Sequence, residues 1–167
     1  MLILAVLAAS CGGSPKQAQS VARATVHGPG FRFQAPAAWS ARQTGTSAVA
    51  RRDAAGDTFV SGTAFTLSKP YSPALFQRAA KELDKVAANL AAQAHGALTQ
   101  SETVTVDGKR IRAYRLTVRP ASGKAYDERI GFVLQGRHEY QLLCRAPAQA
   151  GDPDGACALL YATFTTA

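Results

Sequence analysis

His138-Glu-Tyr-Gln-Leu-Leu-Cys-Arg145 runs into the loop Ala146-Pro-Ala-Gln-Ala-Gly-Asp-Pro-Asp-Gly155. The loop feeds Ala156-Cys-Ala-Leu-Leu-Tyr-Ala-Thr-Phe164. In the first segment Tyr140, Leu142 and Cys144 alternate with other residues, the period of a strand. The middle segment is rich in Pro, Gly and Asp, which punctuate chains at turns. In the third, Cys157, Leu160, Tyr161 and Phe164 stand at i, i+3, i+4 and i+7, one apolar helical stripe. Asp152 or Asp154 can cap this helix, and Pro153 suits its first turn. A strand returning through a loop into a helix lays that helix on the face of its own sheet. Cys144 and Cys157 can then meet.

Upstream, short turns join further strands. Gln100–Val106 ends at Asp107-Gly108, a tight hairpin signal. Lys109–Arg119 pairs back, Ser122-Gly123 turns into Lys124–Gln135, and Gly136-Arg137 turns into the final strand. Connections this short impose an antiparallel meander. Before it, Ser72–His95 reads as a helix. Ser72 is an N-cap, Pro73 takes the first helical position, and Tyr71 and Phe76 are spaced as a hydrophobic staple. Phe76, Ala79, Leu83, Val86 and Leu90 form its apolar face, Arg78, Lys81, Glu82 and Lys85 its solvated face, and Gly96 is the C-cap. Earlier still, Phe31-Arg-Phe-Gln34, Ser47–Arg52 and Thr58–Ser68 read as strands, with Trp39 capping one core edge. The fold class is therefore α+β: an antiparallel sheet of about six or seven strands, one long central helix and one C-terminal helix, an α-β-α sandwich.

The chain has 167 residues, 47% hydrophobic and 18% charged. That suits one globular domain and excludes a disordered chain. Its formal net charge is +8, spread along the sequence as expected for solvated faces. The N-terminus differs in kind. Met1–Ala9 is uninterrupted apolar sequence, followed by Ser10-Cys11-Gly12-Gly13. About 20 apolar residues are needed to span a bilayer, so this run is too short and reads as the h-region of a signal peptide. The small residues before Cys11 resemble a bacterial lipoprotein signal, in which the cysteine thiol is acylated and becomes the first mature residue. Two features depart from that pattern: Ala8 stands where leucine is usual, and no Lys or Arg precedes the apolar run. The domain reading is signal peptide 1–10, flexible tether 11–30 and folded domain 31–167.

Export makes a disulfide the expected state of Cys144 and Cys157. With that reading, Phe31-Arg-Phe-Gln-Ala-Pro-Ala-Ala-Trp39, the central helix, Val104-Thr-Val-Asp-Gly108 and the Tyr140-Gln-Leu-Leu-Cys144 … Cys157 ending together resemble the PsbP-like family found in bacterial lipoproteins. The resemblance spans Gly30 to Phe164 and implies a fold more than a function. Family members include extrinsic subunits of the photosynthetic oxygen-evolving complex, but no segment here matches a photosystem-binding one.

No catalytic constellation emerges. His27, His95 and His138 lie far apart and not at metal-ligand spacing, so no metal or cofactor is expected. There is no G-x-S-x-G. Asp127 and Glu128 are strand neighbours and point to opposite faces. Arg110, Arg112 and Tyr114 share one strand face, a basic and aromatic row able to take an anionic polymer or acidic envelope protein, or else a charged edge strand. The expected function is a non-enzymatic binding or accessory lipoprotein, attached through Cys11 to the extracytoplasmic side of a bacterial membrane, with no nucleic-acid role. The alternative is a small-ligand carrier or hydrolase with a pocket between sheet and C-terminal helix, lined by Tyr140 and Tyr161.

Overall fold

The computed structural model describes residues 21–121 and 123–167. Cys11 and the signal-like run lie outside the described residues. In chain order the elements are β1 (Arg23–Gly28), β2 (Phe31–Pro36), β3 (Ser40–Thr44), β4 (Ser47–Arg51), β5 (Phe59–Tyr71), α1 (Phe76–Gln93), β6 (Ala97–Val106), β7 (Lys109–Val118), β8 (Tyr126–Pro147), α2 (Ala156–Thr163) and β9 (Thr165–Thr166). They make two antiparallel sheets, β1-β2-β9 and β3-β4-β5-β8-β7-β6.

β8 is a single run of 22 residues that doubles back at Gly136-Arg137. The Ala148 amide donates to the Ala125 carbonyl at 3.0 Å, and Arg145 Nε donates to Glu128 Oε1 at 2.7 Å. A straight strand of that length would hold its ends about 70 Å apart. Gly136 has φ 55°, as the first position of a two-residue hairpin turn requires. One arm of β8 pairs with β7, from Arg112↔Phe132 to Val118↔Tyr126. The other pairs with β5, from Phe59↔Arg145 to Thr66↔His138. The hairpin expected from Gly136-Arg137 is therefore present.

The large sheet is covered on both faces. On one, Leu83, Ala87 and Ala91 of α1 pack on Tyr114, Leu116 and Phe132. On the other, β1, β2 and α2 enclose Phe31, Phe33, Val60, Leu142, Leu160 and Phe164. Phe31 lies so close over β5 that a Cβ on Gly62 would come within 2.6 Å of its ring. Gly62 thus makes room for a ring of the small sheet. Burying each such aromatic or aliphatic side chain contributes about 1.5–3 kcal/mol.

Several expectations are corrected. Residues 23–28, read as tether, are β1, in register with β2 from Arg23↔Pro36 to Gly28↔Phe31. Only Val26 of this strand is buried, so the sequence shows no alternation. β3 shows none for the same reason: all its residues are exposed. On α1 the buried stripe is Ala80, Leu83, Ala87 and Ala91, while Val86 and Leu90 are 41% and 38% exposed. Alanines let the helix sit close to the sheet, which turns the bulkier pair aside. Ser72 stands at the start of a short 3-10 turn, Pro73–Leu75, and its side chain makes no cap hydrogen bond. The left-handed residue ending α1 is His95 (φ 51°), one before Gly96.

Candidate functional site

The expected C-terminal clasp is formed. Cys144 ends the apolar row of β8 and Cys157 opens α2, and the two are joined as a disulfide with Cα atoms 5.6 Å apart. Asp152 caps the helix, accepting from the amides of Cys157 at 2.8 Å and Ala158 at 2.9 Å. Asp154 is free for another task. It accepts from Trp39 Nε1 at 3.0 Å and pairs with Arg52 at 3.5 Å, which ties the buried tryptophan to the loop.

Beside this clasp the surface opens into a cleft of about 480 Å³, lined in part by Trp39, Arg115, Asp127, Arg129 and the disulfide. Ligand sites commonly fall between about 300 and 1,000 Å³. Tyr140 does not line it. Its ring is packed edge-on against Phe31 and Phe164, with centroids 5.8 Å away from each. The pocket expected at Tyr140 is thus filled by aromatic rings, and the opening lies instead at the N-terminal end of α2.

Arg115 and Arg129 are Cα partners across β7 and β8, so their side chains leave the sheet on the same face. Arg129 is fixed from two sides. Its guanidinium lies 4.1 Å from the centroid of the Tyr161 ring, and Nη2 donates to Glu102 Oε1 at 2.8 Å. Tyr161 packs on Gly131 so tightly that a Cβ there would stand 2.7 Å from its hydroxyl oxygen. Burial pushes the Tyr161 hydroxyl well above its usual range, and the charges of Arg129 and Arg115 oppose that rise. Arg129 Nε and Tyr161 Oη are buried without a hydrogen-bond partner among the described residues.

The basic row proposed from the sequence is largely covered. Arg110, Arg112 and Tyr114 do share a face, but that face lies under α1. Tyr114 is 0% exposed and donates to Asp84 Oδ1 at 2.8 Å. Arg112 donates to the same oxygen through Nε at 3.1 Å and Nη2 at 2.7 Å. Arg110 is exposed, with its guanidinium 4.5 Å from the Phe76 ring centroid. Arg112 and Tyr114 therefore anchor the helix, and Arg110 stays exposed beside Phe76.

Partial burial acts to raise the Asp84 carboxyl, but the hydrogen bonds from Arg112 and Tyr114 outweigh it and hold the group below its ordinary value of 3.8. Asp57, bonded to Lys124 and Tyr126, is lowered as well. So is Asp107: burial works to raise it, and bonds from Lys109 and Thr166 prevail. A carboxylate depressed in the folded state binds fewer protons there than in the unfolded chain. The stability it contributes is complete above the unfolded value and lost as pH falls through the folded one. Urea unfolding from about pH 5 to about pH 2 is expected to show falling stability. Asp84→Asn removes one share of that acid dependence and flattens the curve. An unchanged slope in the variant would show that the Asp84 network is not formed.

No protein-family model matches the sequence, and no curated protein matches it either. Solved structures do. The first is a protein of Bacteroides thetaiotaomicron VPI-5482, with a TM-score of 0.58 and 13% identity over 83% of this chain. The match covers 45% of that protein, so the chain spans under half its length. Cyanobacterial PsbP (CyanoP) of Synechocystis sp. PCC 6803 matches with a TM-score of 0.56 and 14% identity, covering 93% of this chain and 99% of CyanoP. LpqN of Mycobacterium tuberculosis, described as involved in cell envelope biogenesis, matches with a TM-score of 0.53 and 15% identity, over 87% and 91% of the two chains. Identities this low carry the arrangement of layers and not the site. With its two covered faces, central helix and C-terminal helix, the chain has the PsbP-like fold.

Proposed function

We propose that the protein is a non-enzymatic binding or accessory module of the bacterial cell envelope, held on the extracytoplasmic side of a membrane by acyl chains on Cys11. The observation that carries this reading is the Cys144–Cys157 disulfide. Such bonds form and persist in oxidising compartments, and the signal-like run before Cys11 supplies the route out. Eleven residues (12–22) separate Cys11 from β1, a reach of at most roughly 40 Å. Two or more acyl chains give stable attachment where one is marginal. No helix among the described residues is long and apolar enough to cross a membrane, and the lipid is the anchor in this reading. LpqN, of similar fold, is described as taking part in envelope biogenesis, which agrees with such a role. The non-enzymatic part rests on how the carboxylates are used: Asp84, Asp107, Asp152 and Glu128 each hold the fold through internal bonds. A second reading, carriage of a small ligand, is favoured by the cleft beside α2.

Fractionation of expressing cells tests the anchor. The wild-type protein is expected in the membrane fraction, and Cys11→Ala is expected to lose that attachment and incorporate no fatty-acid label. Label that survives Cys11→Ala, or wild-type protein without label, would refute acylation at Cys11.

A further inference from the structure

We infer that the cleft beside α2 contains an anion subsite, formed by Arg115 and Arg129, that takes the carboxylate or phosphate group of a small ligand. This rests on the cleft being a ligand site and is independent of the anchor at Cys11.

The two arginines face each other across the β7–β8 ladder. Like charges directly opposite on neighbouring strands destabilise a sheet, so the arrangement costs stability unless something negative lies between them. One carboxylate is at hand, Glu102, and it accepts from Arg129 Nη2. Three more acids line the cleft, and each is held by bonds to other groups. Asp152 caps α2. Asp127 accepts from the Gln149 amide at 2.9 Å, and Glu128 pairs with Arg145. Arg115 is exposed, lines the cleft and has no ion pair among the described residues. Of the three arginines that line the cleft, Arg115 is therefore the one whose guanidinium is left open to a ligand.

Arg129 is also preorganised. The Tyr161 ring and Glu102 hold its plane, and its Nε is buried without a partner. A guanidinium held in this way loses little freedom on binding, and with Nε buried and Nη2 on Glu102 it offers Nη1 to a ligand oxygen. Arg115 is exposed and supplies the open fork. Both arginines act on the buried Tyr161 hydroxyl electrostatically, which agrees with their converging on one place.

The test is a titration of the full chain in detergent micelles, labelled with ¹⁵N-arginine, with inorganic phosphate in one arm and succinate in the other. The expected result is saturable movement of the Arg115 and Arg129 side-chain resonances in at least one arm. The arm that saturates identifies the group recognised. Arg115→Gln is expected to weaken binding about tenfold, the loss of one charge-assisted contact. Arg115 is exposed, so the fold should survive, as an unchanged amide spectrum would show. Arg78→Gln, on the far face of α1, should bind as the wild type does. Non-saturating shifts shared by all arginines in both arms, or saturable binding unaltered by Arg115→Gln, would overturn the assignment.

Discussion

Replacing Cys144 and Cys157 together by serine is expected to lower stability by about 3 kcal/mol, the chain-entropy value for a loop of this size. The two residues are 13 apart in sequence, so the bond chiefly limits the unfolded chain locally. In a domain this long that loss corresponds to a fall in Tm of roughly 6–12 °C. The reduced wild-type protein should melt at the temperature of the double variant. Adding reductant to the double variant should change nothing. The bond fixes α2 to β8 and forms part of the cleft wall, so the loss should appear first as faster amide exchange in α2. Equal melting temperatures with and without reductant would show that the clasp contributes nothing.

Gly96→Ala is expected to cost roughly 3 kcal/mol, the upper end of overpacking penalties. A Cβ at this position would lie 1.9 Å from the Thr117 carbonyl oxygen and 2.9 Å from the Val118 Cα. Both are backbone atoms of the sheet, so no side chain can swing away to make room. The contact is close because the end of α1 is bonded to its surroundings through backbone alone. The Gly96 amide donates to Ala91 O at 2.8 Å, and the Arg119 amide donates to Ala94 O at 2.9 Å. The neighbouring substitution should have the opposite sign. His95 holds the left-handed conformation at φ 51°, which costs roughly 1–2 kcal/mol for a residue with a Cβ. His95→Gly is therefore expected to stabilise, by less than that amount because glycine also loses more entropy on folding. Urea unfolding of both variants checks the pair. A neutral Gly96→Ala would mean that α1 does not approach β7 this closely.

The legible parts of this fold are those where burial and sequence period coincide. β7 and β8 alternate because one face meets α1 and the other meets β2 and α2. Their turns, Asp107-Gly108 and Gly136-Arg137, carry the glycines that φ values of 70° and 55° require. Elements at the margins left no period. β1 buries Val26 alone, β3 buries nothing, and β9 is two residues long. The face of α1 differs from its sequence pattern because side-chain volume is not the sign of burial here. Close packing on a sheet selects alanine, and Val86 and Leu90 were displaced outward. The basic row at Arg110, Arg112 and Tyr114 was correctly placed on one face, but its cover was not. Helical spacing does not disclose that Asp84 reaches Tyr114 and Arg112. The Arg115–Arg129 pair was hidden by a one-residue register difference. A symmetric hairpin about Ser122-Gly123 would set Arg115 opposite Ile130, and the observed register, Arg115↔Arg129, differs from it by one residue.

The reading of this chain as an exported, lipid-held module converges on its three cysteines, and the intact mass of the mature protein extracted from the envelope tests them together. The expected result is a chain that begins at Cys11 with acyl groups on that residue and carries Cys144 and Cys157 joined, two hydrogens lighter than the reduced form. A mature protein that retains an unmodified Cys11 thiol, or has free thiols at Cys144 and Cys157, would contradict it.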